Sequence, residues 1–126
     1  MDFDRCSCSG KSLNRLLQPA LLALLSRERT HGYVLLQRLG ELDFFAGAPP
    51  DASGVYKALK EMELDGLVSS SWDLSASGPA RRRYALSRDG KACLKRWVKT
   101  LETYREQIDK LLGLLAHGKP GAAARS

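Results

Sequence analysis

Asp51 to Val68, D-A-S-G-V-Y-K-A-L-K-E-M-E-L-D-G-L-V, holds a helix start, an amphipathic helix and a helix stop in one run, and no other stretch restricts the fold so tightly. Pro49 and Pro50 end whatever precedes it, because each fixes φ and removes a backbone donor. Asp51 or Ser53 can cap the helix by accepting a backbone N–H bond. Val55, Ala58, Leu59 and Met62 recur at helical spacing, so they share one face and predict core. Gly66 stands where a left-handed residue closes a helix. The opposite face carries Ser53, Gly54, Tyr56, Lys57 and Lys60. It is small, basic and aromatic near its N-terminal end, the surface a helix presents on entering a major groove.

The flanking segments predict what surrounds this helix. Residues 1–11 read as a short polar arm containing Cys6 and Cys8. Ser12 to Ser26 predicts a first helix, with Leu13, Leu16, Leu17, Leu21, Leu24 and Leu25 as a broad apolar stripe and Pro19 either kinking it or beginning its main part. Thr30 is placed to cap a second helix from His31 to about Phe44, with a core face of Tyr33, Leu35, Leu36, Leu39 and Leu42. Leu67–Asp73 and Arg81–Leu86 read as two strands around the turn cluster Ser75–Ala80, which makes a hairpin. Ser87 caps a last helix from about Arg88 to Leu115. Its residues Leu94, Trp97, Leu101, Tyr104, Ile108, Leu111 and Leu115 step alternately by three and four, a heptad seam that Val98 and Leu112 broaden. So small a domain cannot cover so long a helix, and a second copy of the chain is the expected partner. The expected organisation is an arm (1–11), a DNA-binding domain (12–87), a dimerisation helix (88–116) and a flexible tail (117–126).

The 126 residues suffice for one cored domain and are too few for two, and a hydrophobic content of 44% separates the chain from disordered sequences. A net charge of +6 favours a polyanionic partner, nucleic acid or an anionic membrane surface. No apolar run is long enough to span a bilayer, and the opening M-D-F-D-R-C has no apolar signal core, so a cytoplasmic protein with reduced thiols is expected.

Catalytic chemistry finds little support. The chain has two histidines, no H-E-x-x-H, no G-x-S-x-G and no dinucleotide fingerprint, so no enzyme and no cofactor are expected. Gly10-Lys11-Ser12 imitates the end of a phosphate loop, but Arg5 holds the first glycine position and no strand precedes it. Cys6 and Cys8 of two copies would supply four thiolates, yet their spacing is not that of ordinary zinc ligands, and an inert arm without metal is the simpler expectation. Cys93 reads as a buried small apolar residue, His31 as a structural contact, and His117 has no partner by spacing.

Helix, helix, helix and hairpin in this order describe a winged helix-turn-helix: mainly α, with a small β-hairpin and a long C-terminal dimerisation helix. His31-Gly32-Tyr33-Val34-Leu35 resembles the opening of the second helix in PadR-like transcriptional regulators. Val55-Tyr56-Lys57-Ala58-Leu59 with Gly66-Leu67-Val68 resembles their recognition helix and its exit. Gly78-Pro79-Ala80-Arg81-Arg82-Arg83-Tyr84-Ala85-Leu86-Ser87, with Gly90, resembles their wing and the start of their dimerisation helix. The likeness runs from about Leu13 to Leu115 and is to the short-tailed branch with a single closing helix.

The resemblance implies a homodimeric repressor, bound to a double-stranded operator and released by an effector. It puts Ser53, Gly54, Tyr56, Lys57 and Lys60 on the groove-facing helix and Arg81, Arg82 and Arg83 on the wing. Gly54 stands where the family commonly has threonine, and Lys57 where proline is common, which adds a phosphate-binding cation. Family members often take small aromatic effectors between the domain and the last helix. Trp97 has the ring to stack on such a ligand, although its place in the seam favours dimer packing. The alternative is a winged-helix protein-interaction module that never touches DNA. Convergence of Lys57, Lys60 and the arginines on one side would speak against that module.

Overall fold

The structure, a computed structural model, describes residues 16–42, 50–74 and 81–117. Ser12–Arg15, the turn cluster Ser75–Ala80, the arm with Cys6 and Cys8 and the tail from Gly118 lie outside the described residues. The elements in order are α1 (Leu17–Arg27), β1 (Thr30–His31), α2 (Gly32–Gly40), α3 (Ala52–Leu64), β2 (Val68–Asp73), β3 (Arg81–Leu86) and α4 (Arg88–His117). This is a winged helix-turn-helix with a long closing helix. The chain divides into two compact units between Leu94 and Lys95.

In the first unit, α1 is apolar nearly all round and buries Leu17, Pro19, Ala20, Leu21, Leu22 and Leu25. Pro19 begins the helix and does not kink it: it lies in the first turn, where its missing N–H would have no helical partner in any case. Leu35 and Leu39 of α2, Val55, Leu59 and Met62 of α3, Val68 of β2 and Tyr84 of β3 complete the core. Asp51 caps α3 by accepting the Gly54 N–H at 2.8 Å. At the other end Leu67 N–H reaches the Met62 carbonyl at 2.9 Å and Gly66 takes φ +79°, the only left-handed residue among those described.

Thr30 does not cap α2. Thr30 and His31 form a strand that pairs antiparallel with Tyr84 and Arg83, so the sheet has three strands in the order β1-β3-β2. His31 takes the cap position without a side-chain bond to the helix. The helix stops at Gly40, short of Phe44, with Glu41 and Leu42 N–H groups bonded back to Arg38 and Leu39 carbonyls. Tyr33 leaves the expected core face and is 44% exposed, while Leu36 and Leu42 are half-buried.

Ser87 joins α3 to α4. Its hydroxyl donates to the Gly66 carbonyl at 2.6 Å, its N–H donates to the Leu67 carbonyl at 3.0 Å, and its Oγ caps α4 by accepting the Gly90 N–H at 3.0 Å. Gly90 is buried, and a Cβ there would collide with the Leu67 carbonyl oxygen. Cys93 is half-buried, less enclosed than the sequence suggested.

In the second unit the seam is open from Tyr104 onward. Trp97 and Leu101 are half-buried, whereas Tyr104, Ile108, Leu111, Leu112 and Leu115 are exposed, Ile108 by 56%.

Candidate nucleic-acid interface

The cap at Asp51 fixes where α3 starts and therefore which side chains its first turns present. Ser53, Tyr56, Lys57 and Lys60 all lie on the exposed face, opposite the buried Val55, Leu59 and Met62. Gly54 is half-buried, and a Cβ there would press to 3.1 Å from the capping oxygen of Asp51. Its part in the surface is therefore backbone, a consequence of the close cap.

Tyr56 has two sides. One edge of its ring lies on Gly32, the first residue of α2, and the rest is open, leaving the residue 44% exposed. The next residue, Tyr33, carries Arg81: the guanidinium carbon sits 5.3 Å from the ring centroid and Nη1 donates to the phenol oxygen at 3.4 Å. The first turn of α2 thus touches the exposed face of α3 through Gly32 and the wing through Tyr33.

The arginine run divides as strand geometry requires. Successive strand residues point to opposite faces, and residues opposite each other on paired strands share a face. Arg82 is opposite Trp72, on the face that holds Tyr84 and Ser70. It stacks 5.1 Å over the Trp72 ring and reaches Glu63 of α3 at 3.4 Å and the Ser70 hydroxyl at 3.3 Å. Arg81 and Arg83 point to the other face, opposite Asp73 and Ser71. Arg83 donates to Asp73 Oδ2 at 3.0 Å, and His31 Nε2 meets the same oxygen at 3.0 Å from the far side of β3. That contact gives His31 the structural role expected of it. Among the described residues Arg81 has no carboxylate partner.

From the sequence, Asp73, Glu63 and Trp72 had no expected part in the site, and Tyr33 was expected in the core of α2. The alternation along β3 was a readable signal for splitting the arginines, but the carboxylates come from other elements and carry no local signature. Burial pushes the Tyr84 phenol above its ordinary value, with the Arg82 guanidinium working against the shift. Trp97 is half-buried in the second unit. No group of His, Cys, Asp or Glu among the described residues is arranged to hold a metal ion. No helix of the described residues is long and apolar enough to cross a membrane.

The family model of the transcriptional regulator PadR-like family matches residues 21–96. The chain belongs to that family. The match covers the winged domain from within α1 through the wing and the first turns of α4. A PadR family transcriptional regulator from Eggerthella lenta is 27% identical, over 86% of this chain and 93% of that one, with a TM-score of 0.73. A PadR family regulator from Clostridium difficile shares the fold at 22% identity and TM-score 0.67, over 78% of this chain and 99% of that one. Bacillus subtilis PadR, whose structure is a complex with operator DNA, also shares the fold, at 24% identity and TM-score 0.59, over 67% of this chain and 47% of that one. No curated protein matches the chain in sequence. The PadR-like assignment makes the chain a transcriptional regulator.

Proposed function

We propose that this regulator is a homodimeric, sequence-specific DNA-binding repressor that acts in the cytoplasm and leaves its operator when a small aromatic or hydrophobic effector binds. The observation that carries the DNA reading is the continuity across the first turn of α2. Tyr56 rests on Gly32, and Arg81 rests on Tyr33, so the reading helix and a wing cation without a carboxylate partner among the described residues meet at one shelf. The operator complex of the Bacillus subtilis relative supports this use of the fold. In this reading Tyr56 and Lys57 contact base edges, Ser53, the Gly54 backbone and Lys60 flank them, and the wing arginines meet phosphates, Arg81 above all.

Leu94, Trp97, Leu101, Tyr104, Ile108, Leu111 and Leu115 form the dimer seam, a reading that the exposure of Tyr104, Ile108, Leu111 and Leu115 supports. Trp97 also offers an indole to an aromatic effector. The protein-interaction alternative draws on the ion pairs that Arg82 and Arg83 make within the domain.

The test is titration of Tyr56→Phe and Lys57→Ala against a DNA site selected by the wild-type protein and against scrambled DNA at matched salt. Each variant should lose about 1 kcal/mol of operator binding, the scale of one net hydrogen bond, with its melting temperature almost unchanged. Wild-type affinity for the operator in both variants would remove α3 as the reading head. Failure of the wild-type protein to select any DNA would favour the interaction module.

A further inference from the structure

We infer that Gly32 is a positioning residue for DNA reading, in that its missing side chain sets where the Tyr56 ring stands. The inference rests on the proposal that Tyr56 reads the operator. Gly32 opens α2, is buried, and does not adopt the left-handed conformation that requires glycine. Space, not backbone freedom, is therefore what the position demands. A Cβ on Gly32 would run into Tyr56 Cε1 and come within 3.1 Å of Cζ and 3.2 Å of the hydroxyl oxygen. Carbon atoms in contact settle at about 3.5–4.0 Å, so the ring or one of the helices has to move. α3 is held by Val55 and Leu59, both fully buried, and α2 by Leu35 and Leu39, also fully buried. The ring is the movable part: it is half open to solvent and can swing about its own side-chain torsions. Alanine at position 32 lifts the ring off its shelf and moves the hydroxyl away from the position in which α3 offers it to a groove. The same residue flanks Tyr33, on which Arg81 lies, so the displacement acts where helix and wing approach each other.

The experiment is a double-mutant cycle on the full-length protein, with operator selected by the wild type and scrambled duplex of equal length. Gly32→Ala should weaken operator binding about fivefold, the equivalent of about 1 kcal/mol for one lost hydrogen bond, and leave scrambled DNA unaffected. In a Tyr56→Ala background the same Gly32→Ala change should cost nothing. Wild-type operator affinity in Gly32→Ala, or an equal loss in both backgrounds, overturns the inference. If Tyr56→Ala and Lys57→Ala weaken operator binding while Gly32→Ala does not, only the positioning role falls. If none of the three weakens it, the assignment of α3 as reading head falls as well. Should Gly32→Ala lower the melting temperature, the cycle is read on stability too: Tyr56→Ala must relieve the loss, and an unrelieved loss overturns the inference.

Discussion

The division of the arginine run makes a prediction that the run as a block does not. Arg81 lies on Tyr33 without a carboxylate partner among the described residues, whereas Arg82 is held by Glu63 at 3.4 Å and stacked on Trp72. Each phosphate neutralised by a protein cation releases counterions and adds about 0.9 to the slope of log affinity against log salt. In a dimer Arg81→Ala removes two such cations, so the slope should fall by about 1.8, equally for operator and scrambled DNA. Losing its stack on Tyr33 should cost no more than about 0.5–1 kcal/mol of stability. Arg82→Ala should cost more stability and less slope. Its ion pair is partly exposed, 46% on the arginine and 33% on the glutamate, so solvent screening keeps that contribution in the lower part of about 0–1 kcal/mol. Stacking on exposed Trp72 adds about 0.5–1 kcal/mol, and the salt slope should move little. Arg83→Ala falls between, because Asp73 keeps His31 while losing one partner. Fluorescence anisotropy across a salt series, with thermal melts of each variant, measures both quantities. Equal slope changes in Arg81→Ala and Arg82→Ala would refute the argument, since strand alternation would then not decide which arginine meets DNA.

Two further outcomes follow from burial and exposure. The buried Tyr84 phenol has a raised pKa, so its contribution to stability is full below the unfolded value of about 10 and is lost as pH rises through the folded value. Urea unfolding from about pH 8 to about pH 11 should show wild type losing stability more steeply than Tyr84→Phe at the alkaline end, and parallel curves would contradict the shift. Ile108→Lys places a charge on the open seam and should leave the isolated chain as stable as before, while weakening dimerisation at least tenfold, or about 1.4 kcal/mol, less than burying one isoleucine contributes. Sedimentation at micromolar concentration measures this, and a monomeric wild-type protein would remove the seam as an interface.

How far the sequence could be read depended on whether the determining contacts were local. The bounds of α3 and most of its core face were legible because the Asp51 cap, the Val55, Leu59 and Met62 stripe and the Gly66 stop act within one segment, although Ala58, expected in the core, is half-buried. The exposed surface of Ser53, Tyr56, Lys57 and Lys60 followed from the same periodicity. The strand at Thr30–His31 was not legible, since its partners Tyr84 and Arg83 lie far along the chain and two residues carry no period. Tyr33 fits a helical apolar stripe, but a phenol tolerates exposure, and here its ring supports Arg81. Partners such as Asp73 and Glu63 are set by tertiary placement, which neither charge count nor spacing encodes.

The bonds from Ser87 to Gly66 and Leu67, with Gly90 against the Leu67 carbonyl, have a consequence for exchanging parts between relatives. A recognition helix is often treated as a cassette whose ends are its caps. Here its C-terminal boundary is completed by residues some twenty positions downstream, counted from Gly66 to Ser87 and Gly90. A donor α3 moved into this chain with its own exit turn brings a backbone that has not been fitted to this Ser87 and Gly90. The portable piece is therefore discontinuous: Asp51 to Leu67 together with Ser87 to Gly90, while the wing strands between them remain with the host.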